Sequence, residues 1–481
     1  MARVMLISPQ FRVLKAGHSA FAKNVHRRAH PLLGIGNMAT VLHSYGHDVA
    51  YLDTAIEGIQ ETHPYDEYSD FYGIDNFEVV RRVIDFRPQV IGISCLFTGH
   101  FPLMVSMAEA IKAALPNVPV VVGGNHATLN PEEVMRHGCI DYLLRGEGDF
   151  LFGELVNCLL HGRPISEVGS VVYRDNGVPQ FTDAISHVGS MDSLPFFNWD
   201  LVPLEKYWSE GLPQNPFAKS RKAILYETSR GCPERCIFCS SAQFFGKRFR
   251  PKSASRVVDE IVQAVDRYGI EEVQFSDDNI AMNLRRFKDI CDGLAPLGIH
   301  LCVPNGIRLD HHYRSDDIIR DLYGRMKRAG FYQLTFCPES GNERVLNSVI
   351  KKHLDLGKMK RLVAMARDEF GFKTHSFFII GFPYETKREI EDTIRYAEEL
   401  DTDGYSFSVA TPFPPTELWK WCKDDNLIIE GAGEADYLLG KSVIKRPGGF
   451  LPMEIDTLAE QTAARLNGER IARRNPLVTA K

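Results

Sequence analysis

Long apolar runs are missing from this chain. No segment approaches the roughly 18 consecutive apolar residues that a bilayer-spanning helix needs, so a membrane span is not expected. The N-terminus, MARVMLISPQFRVLKAG, has only a four-residue apolar core and no cleavage signature, which argues against a secretory leader and for a reducing, cytoplasmic setting. A basic excess is missing as well. Lys and Arg number 56 against 62 Asp and Glu, a formal charge of −6, with no long basic run, so nucleic acid is not an expected partner. Low-complexity tracts and short-period repeats are absent. What remains is an ordinary globular composition over 481 residues, enough for two or three domains.

One further shortage is local. Cys232, Cys236 and Cys239 stand within eight residues, in Gly231-Cys232-Pro233-Glu234-Arg235-Cys236-Ile237-Phe238-Cys239, and no other Cys or His occurs between His187 and Cys291. A structural zinc site needs four closed ligands. Three soft sulfurs without a fourth suit an iron–sulfur cluster that leaves one metal position open, where a substrate or second cofactor can bind. The other cysteines (95, 139, 158, 291, 302, 337 and 422) sit mostly in apolar strands or helices, as reduced buried Cys does.

Around that triplet lie two strand–helix alternations. In residues 1–160, compact apolar runs at Val4–Ser8, Val49–Asp53, Val90–Ser94, Val118–Gly123 and Tyr142–Leu144 read as buried parallel strands. Amphipathic stretches near 35–45, 76–86, 102–114, 131–137 and 149–160 read as helices, the fourth with Asn130-Pro131-Glu132-Glu133 as its start. This is a Rossmann-like, doubly wound α/β pattern, with its ligand face at the strand carboxyl ends. Gly34-Ile35-Gly36-Asn37-Met38-Ala39 fits the dinucleotide pattern GxGxxA, but about 25 residues separate it from the first strand, so nicotinamide or flavin binding is not expected.

Between 190 and 222, Pro195, Pro203, Pro213 and Pro216 interrupt a stretch with no regular period, read as a surface connector. A second alternation follows, with strands near 223–228, 272–275, 299–304, 332–336, 374–380 and 405–410. Its helices lie near 255–268, 284–294, 316–328, 357–369, 387–400 and 416–423, that at 387 opened by the capping box Thr386–Glu389. Six units make a partial (β/α)6 TIM-type barrel, and the cysteine loop follows its first strand, on the working face. A last helix is expected over 453–473, with a basic end at Arg470, Arg473 and Arg474. The domain reading is 1–185, a linker at 186–222, a barrel at 223–430 and a helical extension at 431–481.

Taken together, the CxxxCxxC spacing, with Phe238 before the last Cys, the partial barrel and the front α/β domain resemble the cobalamin-binding radical S-adenosylmethionine enzymes of the class B methylase type. The resemblance spans roughly 1–430. It includes Val122-Gly123-Gly124-Asn125-His126-Ala127-Thr128, Arg145-Gly146-Glu147-Gly148, Phe275-Ser276-Asp277-Asp278-Asn279, Glu339-Ser340-Gly341 and Gly381-Phe382-Pro383-Tyr384-Glu385-Thr386. The Asp-x-His-x-x-Gly string that supplies an axial imidazole in many cobalamin proteins does not occur, which in this resemblance implies cobalamin bound without a protein His ligand.

The resemblance implies a 4Fe-4S cluster on Cys232, Cys236 and Cys239, S-adenosylmethionine on its open iron, and methylcobalamin over the barrel mouth. Ser94, Thr98, Gly123, Gly124 and His126 would line the corrin. Asp277 or Asp278, Glu339, Ser340, Gly381, Glu385 and the backbone of Phe238 would hold S-adenosylmethionine. Blander readings stand beside these. Gly123-Gly124 suits a tight turn, His126 a polar turn residue, the aspartates a helix cap, and Arg145–Gly148 a loop with an internal ion pair. The basic stretch with Gln243, Lys247, Arg248 and Arg250 suits either an anionic substrate or solvent. The implied reaction is methylation of an unactivated carbon, or phosphorus, of a small natural-product intermediate through a 5′-deoxyadenosyl radical. Electrons would come from a flavodoxin- or ferredoxin-type donor. A radical ring-forming enzyme of the anaerobic Mg-protoporphyrin ester cyclase type, or a cofactor-binding sensor without activity, is the alternative.

Overall fold

The computed structural model describes residues 1–15, 29–438 and 440–468. Its front sheet holds seven strands: β1 (Arg3–Ser8), β2 (Asp48–Asp53), β3 (Val90–Ser94), β4 (Val120–Gly123), β5 (Tyr142–Leu144), β6 (Val171–Asp175) and β7 (Val178–Phe181). They are ordered β7-β6-β5-β4-β3-β1-β2. The run from β2 to β5 is parallel, while β6 and β7 add to the β5 edge antiparallel. Successive side chains on a strand point to opposite faces, and β1 shows the result. Met5 and Ile7 join one core with helices α2 (Asn76–Phe86) and α3 (Phe101–Ala114), while Val4 and Leu6 join another with α1 (Leu33–Ser44) and α4 (Gly148–His161). Helices cover both faces, as the doubly wound reading requires.

Three features escaped the sequence reading. The β6–β7 hairpin turns at Asn176 and Gly177, both at positive φ, the residue pair a tight two-residue hairpin prefers. A small antiparallel sheet of Phe11–Leu14, Ser69–Tyr72 and Thr62–Pro64 flanks the front domain. The connector is also no surface strap. It forms a helix at Leu204–Glu210, and Trp199, Leu204, Tyr207 and Trp208 are buried in the largest core of the molecule. Its prolines bound that helix rather than preclude it. At Asn130 the expected cap is not made, since its amide donates to the His126 carbonyl instead, and the helix after it stops at Val134.

The second sheet holds β8 (Ala223–Tyr226), β9 (Glu272–Phe275), β10 (His300–Val303), β11 (Phe331–Glu339), β12 (Lys373–Ile380) and β13 (Gly404–Val409). All six run parallel, in chain order, with β8 and β13 at the ends. The helices are α5 (Ala254–Tyr268), α6 (Leu284–Leu294), α7 (Asp316–Ala329), α8 (Leu356–Ala364), α9 (Lys387–Leu400) and α10 (Glu417–Asp424). The Thr386–Glu389 capping box opens α9, and α8 runs into a wide turn at Met365–Glu369. The last helix, α11 (Pro452–Asn467), packs on β13. The expected basic end at Arg470, Arg473 and Arg474 lies outside the described residues. No described helix is long and apolar enough to cross a membrane.

The GxGxxA string lies inside α1 rather than at a strand–helix turn, so it cannot aim a helix N-terminus at a phosphate. A Cβ on Gly36 would run into the Phe197 ring. That glycine is there for packing.

Candidate functional site

After β8 the chain forms a two-residue ribbon, Ser229–Arg230 paired antiparallel with Arg250–Pro251, and the cysteine loop hangs between its ends. Gly231 has φ of 86°, and a Cβ on it would strike the Arg248 carbonyl, so only glycine fits. The loop is held along its length. Ile237 donates its N–H to the Ile350 carbonyl at 3.1 Å and its own carbonyl accepts from Leu418 at 2.9 Å. Glu234 sits 2.7 Å from Arg308, in an ion contact too poorly aligned for a hydrogen bond, and 2.9 Å from His311.

Cys232, Cys236 and Cys239 are all half-buried, and each lies within the electrostatic reach of another. Burial raises the thiol of Cys232 to about 11 and that of Cys239 to about 12, and raises Cys236 as well. Iron would displace those protons, because metal ligation takes thiolates. Among the described residues no three His, Cys, Asp or Glu side chains close around a single ion.

The groups expected to hold S-adenosylmethionine divide by position. Asp277 is turned inward. It accepts from Thr228 N at 3.1 Å, Thr228 Oγ1 at 2.6 Å and Ser229 Oγ, anchoring the base of the cysteine ribbon. Asp278 accepts from Ser241 Oγ and lies within the electrostatic reach of Cys232 and Cys239. Neither caps the following turn; Asn279 does. Glu339 ends β11 with φ of 68° and is bound by Lys352 Nζ at 2.7 Å, both side chains being buried. Burial works against the Lys352 cation, but Glu339, Cys337 and Cys236 outweigh it and raise its pKa. Ser340 is engaged away from the mouth, with Thr393 Oγ1 at 3.0 Å.

Beyond β12, Glu385 Oε2 accepts the backbone N–H groups of Gly381 at 2.7 Å and Phe382 at 3.0 Å, while its Oε1 is buried without a partner. Burial raises this carboxyl to about 7 despite those two donors. The ring of Phe238 lies 6.3 Å from that of Phe382, so the last cysteine and the Gly381–Glu385 turn share one corner of the barrel mouth.

In the front domain, Ser94 ends β3 and Gly123 ends β4 in adjacent register. Gly124 has φ of 99°, and a Cβ there would lie 2.7 Å from the Cys95 carbonyl. The glycine thus admits the neighbouring loop; room for a macrocycle is not what requires it. His126 Nδ1 lies 3.1 Å from Thr98 Oγ1, and burial pushes the imidazole down to about 4, leaving it neutral. Its Nε2 is buried and unpartnered, as are Gln10 Oε1 just after β1, Asn125 Oδ1 just after β4 and Arg145 Nε just after β5. Buried polar atoms are nearly always paired. Four orphans at the carboxyl ends of three strands mark an edge built for a polar-rimmed ligand, and cobalamin, with its amides and phosphate, fits that mixed set of acceptors and donors. Gln10 was missed from sequence, its only signal being its place two residues beyond a strand. The C-terminal extension reaches back over the same edge, where Ala435 O accepts from Arg12 Nη1 and Leu438 packs on Gly99.

The two ligand faces are joined by buried charge. Arg230 binds Asp149 with Nη1–Oδ2 at 2.6 Å and Nη2–Oδ1 at 3.1 Å, and donates from Nε to Glu227 at 2.7 Å. Arg250 forks onto both oxygens of Glu147, at 2.8 Å on Oε2. The ion pair expected inside Arg145–Gly148 is therefore made across the domains. Arg145 instead reaches the Asp183 carbonyl and covers the Phe181 ring.

Comparison with known proteins follows this division. The B12 binding domain family matches residues 22–156 and the Radical SAM superfamily matches residues 226–397. The cytidylyl-2-hydroxyethylphosphonate methyltransferase of Streptomyces wedmorensis is 29% identical, over 99% of this chain and 91% of that protein. An uncharacterized methyltransferase of Pyrococcus horikoshii is 32% identical, over 83% of this chain and 80% of that protein. The structure of the radical S-adenosylmethionine methyltransferase TsrM from Kitasatospora setae, with cobalamin and a 4Fe-4S cluster bound, superimposes with a TM-score of 0.65 at 17% identity, over 86% of this chain and 73% of that one. At that identity the likeness is one of fold.

Proposed function

This chain belongs to the cobalamin-binding radical S-adenosylmethionine enzymes, and we propose that it methylates an unactivated carbon or phosphorus of a small-molecule intermediate. It is a radical S-adenosylmethionine methyltransferase whose cofactors are a 4Fe-4S cluster, S-adenosylmethionine and cobalamin. One observation carries the reading: the cysteine loop and the orphan-lined edge of the front sheet belong to one molecule and are bonded through Arg230–Asp149 and Arg250–Glu147. A ring-forming cyclase has less behind it, because the two relatives matched along 99% and 83% of the chain are both named methyltransferases.

When bound, the cluster with S-adenosylmethionine supplies a hydrogen-abstracting radical, and cobalamin supplies the methyl group. The chain's own residues bind, orient and exclude water. Cys232, Cys236 and Cys239 would hold the cluster as three thiolates, with no fourth protein sulfur in the loop. Glu339 and Asp278, beside the thiols, are the carboxylates that would meet the ammonium of S-adenosylmethionine, with Lys352 holding Glu339 in place. Asp277 supports the ribbon, and Ser340 supports the turn after β11. Glu385 shapes the Gly381–Phe382 backbone for the adenine, with Phe238 beside it. Ser94, Thr98, Gly123, Gly124 and His126 form the corrin edge, joined by Gln10, Asn125 and Arg145. Neutral His126 and its open Nε2 suit a hydrogen bond to a corrin amide. A flavodoxin- or ferredoxin-type donor in the cytoplasm would reduce the cluster.

The experiment is anaerobic reconstitution with iron, sulfide and methylcobalamin, then incubation with S-adenosylmethionine, a reductant and a panel of phosphonates and other small-molecule acceptors, followed by mass analysis. An acceptor gaining one methyl group, with S-adenosylhomocysteine and 5′-deoxyadenosine formed together, supports the reading. 5′-Deoxyadenosine with an acceptor that closes a ring and gains no methyl group contradicts it.

A further inference from the structure

Two guanidinium–carboxylate forks cross between the domains, and both engage the same short stretch on each side. Arg230 and Arg250 come from the two paired strands of the ribbon that closes the cysteine loop. Glu147 and Asp149 flank the first residue of α4. All four side chains are at most 7% exposed. Arg230 lies two residues from Cys232, and the carboxylates lie three and five residues beyond β5, past Arg145, whose Nε is orphaned.

Burying such charges is weak evidence for added stability, since well-packed apolar residues often do as well. What forks add is direction. Each bidentate pair fixes two parallel N–H···O bonds, and two forks from adjacent strands resist both sliding and rotation, which an apolar seam would tolerate. We infer that Arg230 and Asp149, with Arg250 and Glu147 beside them, are positioning residues that set the spacing and orientation of the cysteine loop relative to the corrin edge. The inference rests on the functional reading above. There, two cofactors in different domains must address one acceptor atom, and misplacement by about 1 Å can cost on the order of a hundredfold in rate.

The test measures the spacing itself. In the full chain reconstituted anaerobically, pulsed electron paramagnetic resonance between the reduced cluster and cob(II)alamin gives their distance distribution. The expected results are one narrow distribution for the wild type and a broadened or displaced one for Asp149→Asn, at unchanged iron and corrinoid content. Asp149→Asn leaves Arg230 facing Glu227 and Glu147, so its charge is not stranded. Arg230→Lys keeps the charge but lacks the fork, and it should broaden the distribution as well. Asp200→Asn, which breaks the exposed Arg267–Asp200 pair, should superimpose on the wild type. A distribution for Asp149→Asn and Arg230→Lys indistinguishable from wild type overturns the inference, whatever happens to their melting temperatures. Loss of corrinoid from both variants also overturns it, making the pair a binding element. A wild type that takes up no corrinoid overturns the functional reading instead.

Discussion

Arg308 holds Glu234 at 2.7 Å from behind the cysteine loop, while its Nε and Nη2 are fixed on Asp310 at 3.0 and 3.2 Å. The arginine comes from the segment after β10 and the glutamate from between Cys232 and Cys236. The cluster loop is thus braced by the segment that follows the third strand of the barrel. Arg308→Met keeps the stem but removes the brace. Iron retained after gel filtration should fall, with cluster binding weakened about tenfold, the equivalent of about 1.4 kcal/mol. Iron and sulfide assays on the reconstituted variant check this, and wild-type retention would show the brace to be idle.

The ten cysteines should separate into two classes. Cys232→Ala, Cys236→Ala and Cys239→Ala should each abolish the cluster absorbance while moving the apo-protein Tm by less than about 3 °C, since these thiols sit on a half-exposed loop. Cys291→Ala should do the reverse. That side chain is fully buried beside Phe287 and Ile290, so its loss should keep iron binding and cost about 1–2 kcal/mol of stability.

Glycines of the front domain should differ in the same way. Gly124→Ala places a Cβ 2.7 Å from the Cys95 carbonyl at φ of 99°, a strain of about 1–3 kcal/mol at the corrin edge. Titration of the apo protein with hydroxocobalamin should show markedly weaker uptake. Gly34→Ala meets open space inside α1 and should leave uptake unchanged while stabilising the helix by about 0.5–1 kcal/mol.

Glu385 gives a pH signature. Burial lifts its carboxyl from 4.5 to about 7 in the fold, so the folded state binds more protons than the unfolded one. Its contribution is fully present below about 4.5 and is lost as pH rises through 7, roughly 3 kcal/mol in all. Glu385→Gln cannot ionise, so the apo variant's Tm should gain on wild type between pH 5 and pH 8. Parallel pH dependence of the two proteins would contradict the assignment.

Much of this was legible in the sequence. Buried parallel strands are compact runs of Val, Ile and Leu, and those of β2, β3, β9 and β12 stand within one residue of where the pattern puts them. The cysteine spacing is local, so the loop could be read without the fold. The misses concern groups whose partners are distant in the chain. Asp277 reads as a free carboxylate beside Asp278, yet Thr228 and Ser229, some 50 residues earlier, claim it. Glu147 reads as a partner for Arg145, yet Arg250 takes it from 103 residues away. The connector helix at Leu204–Glu210 was hidden because four prolines mask a short element whose aromatic side chains find partners distant in the chain, Tyr207 on Asp53 and Trp208 on the Ala223 carbonyl.

Cobalamin-dependent methyl transfer is tested by following the methyl group. Methyl-labelled S-adenosylmethionine is incubated anaerobically with the reconstituted enzyme, reduced corrinoid and a reductant, and the corrinoid and nucleosides are analysed by mass. Labelled methylcobalamin should form with S-adenosylhomocysteine, together with 5′-deoxyadenosine that disappears in Cys232→Ala. A wild-type enzyme that binds both cofactors and forms 5′-deoxyadenosine, yet never labels the corrinoid, would contradict it.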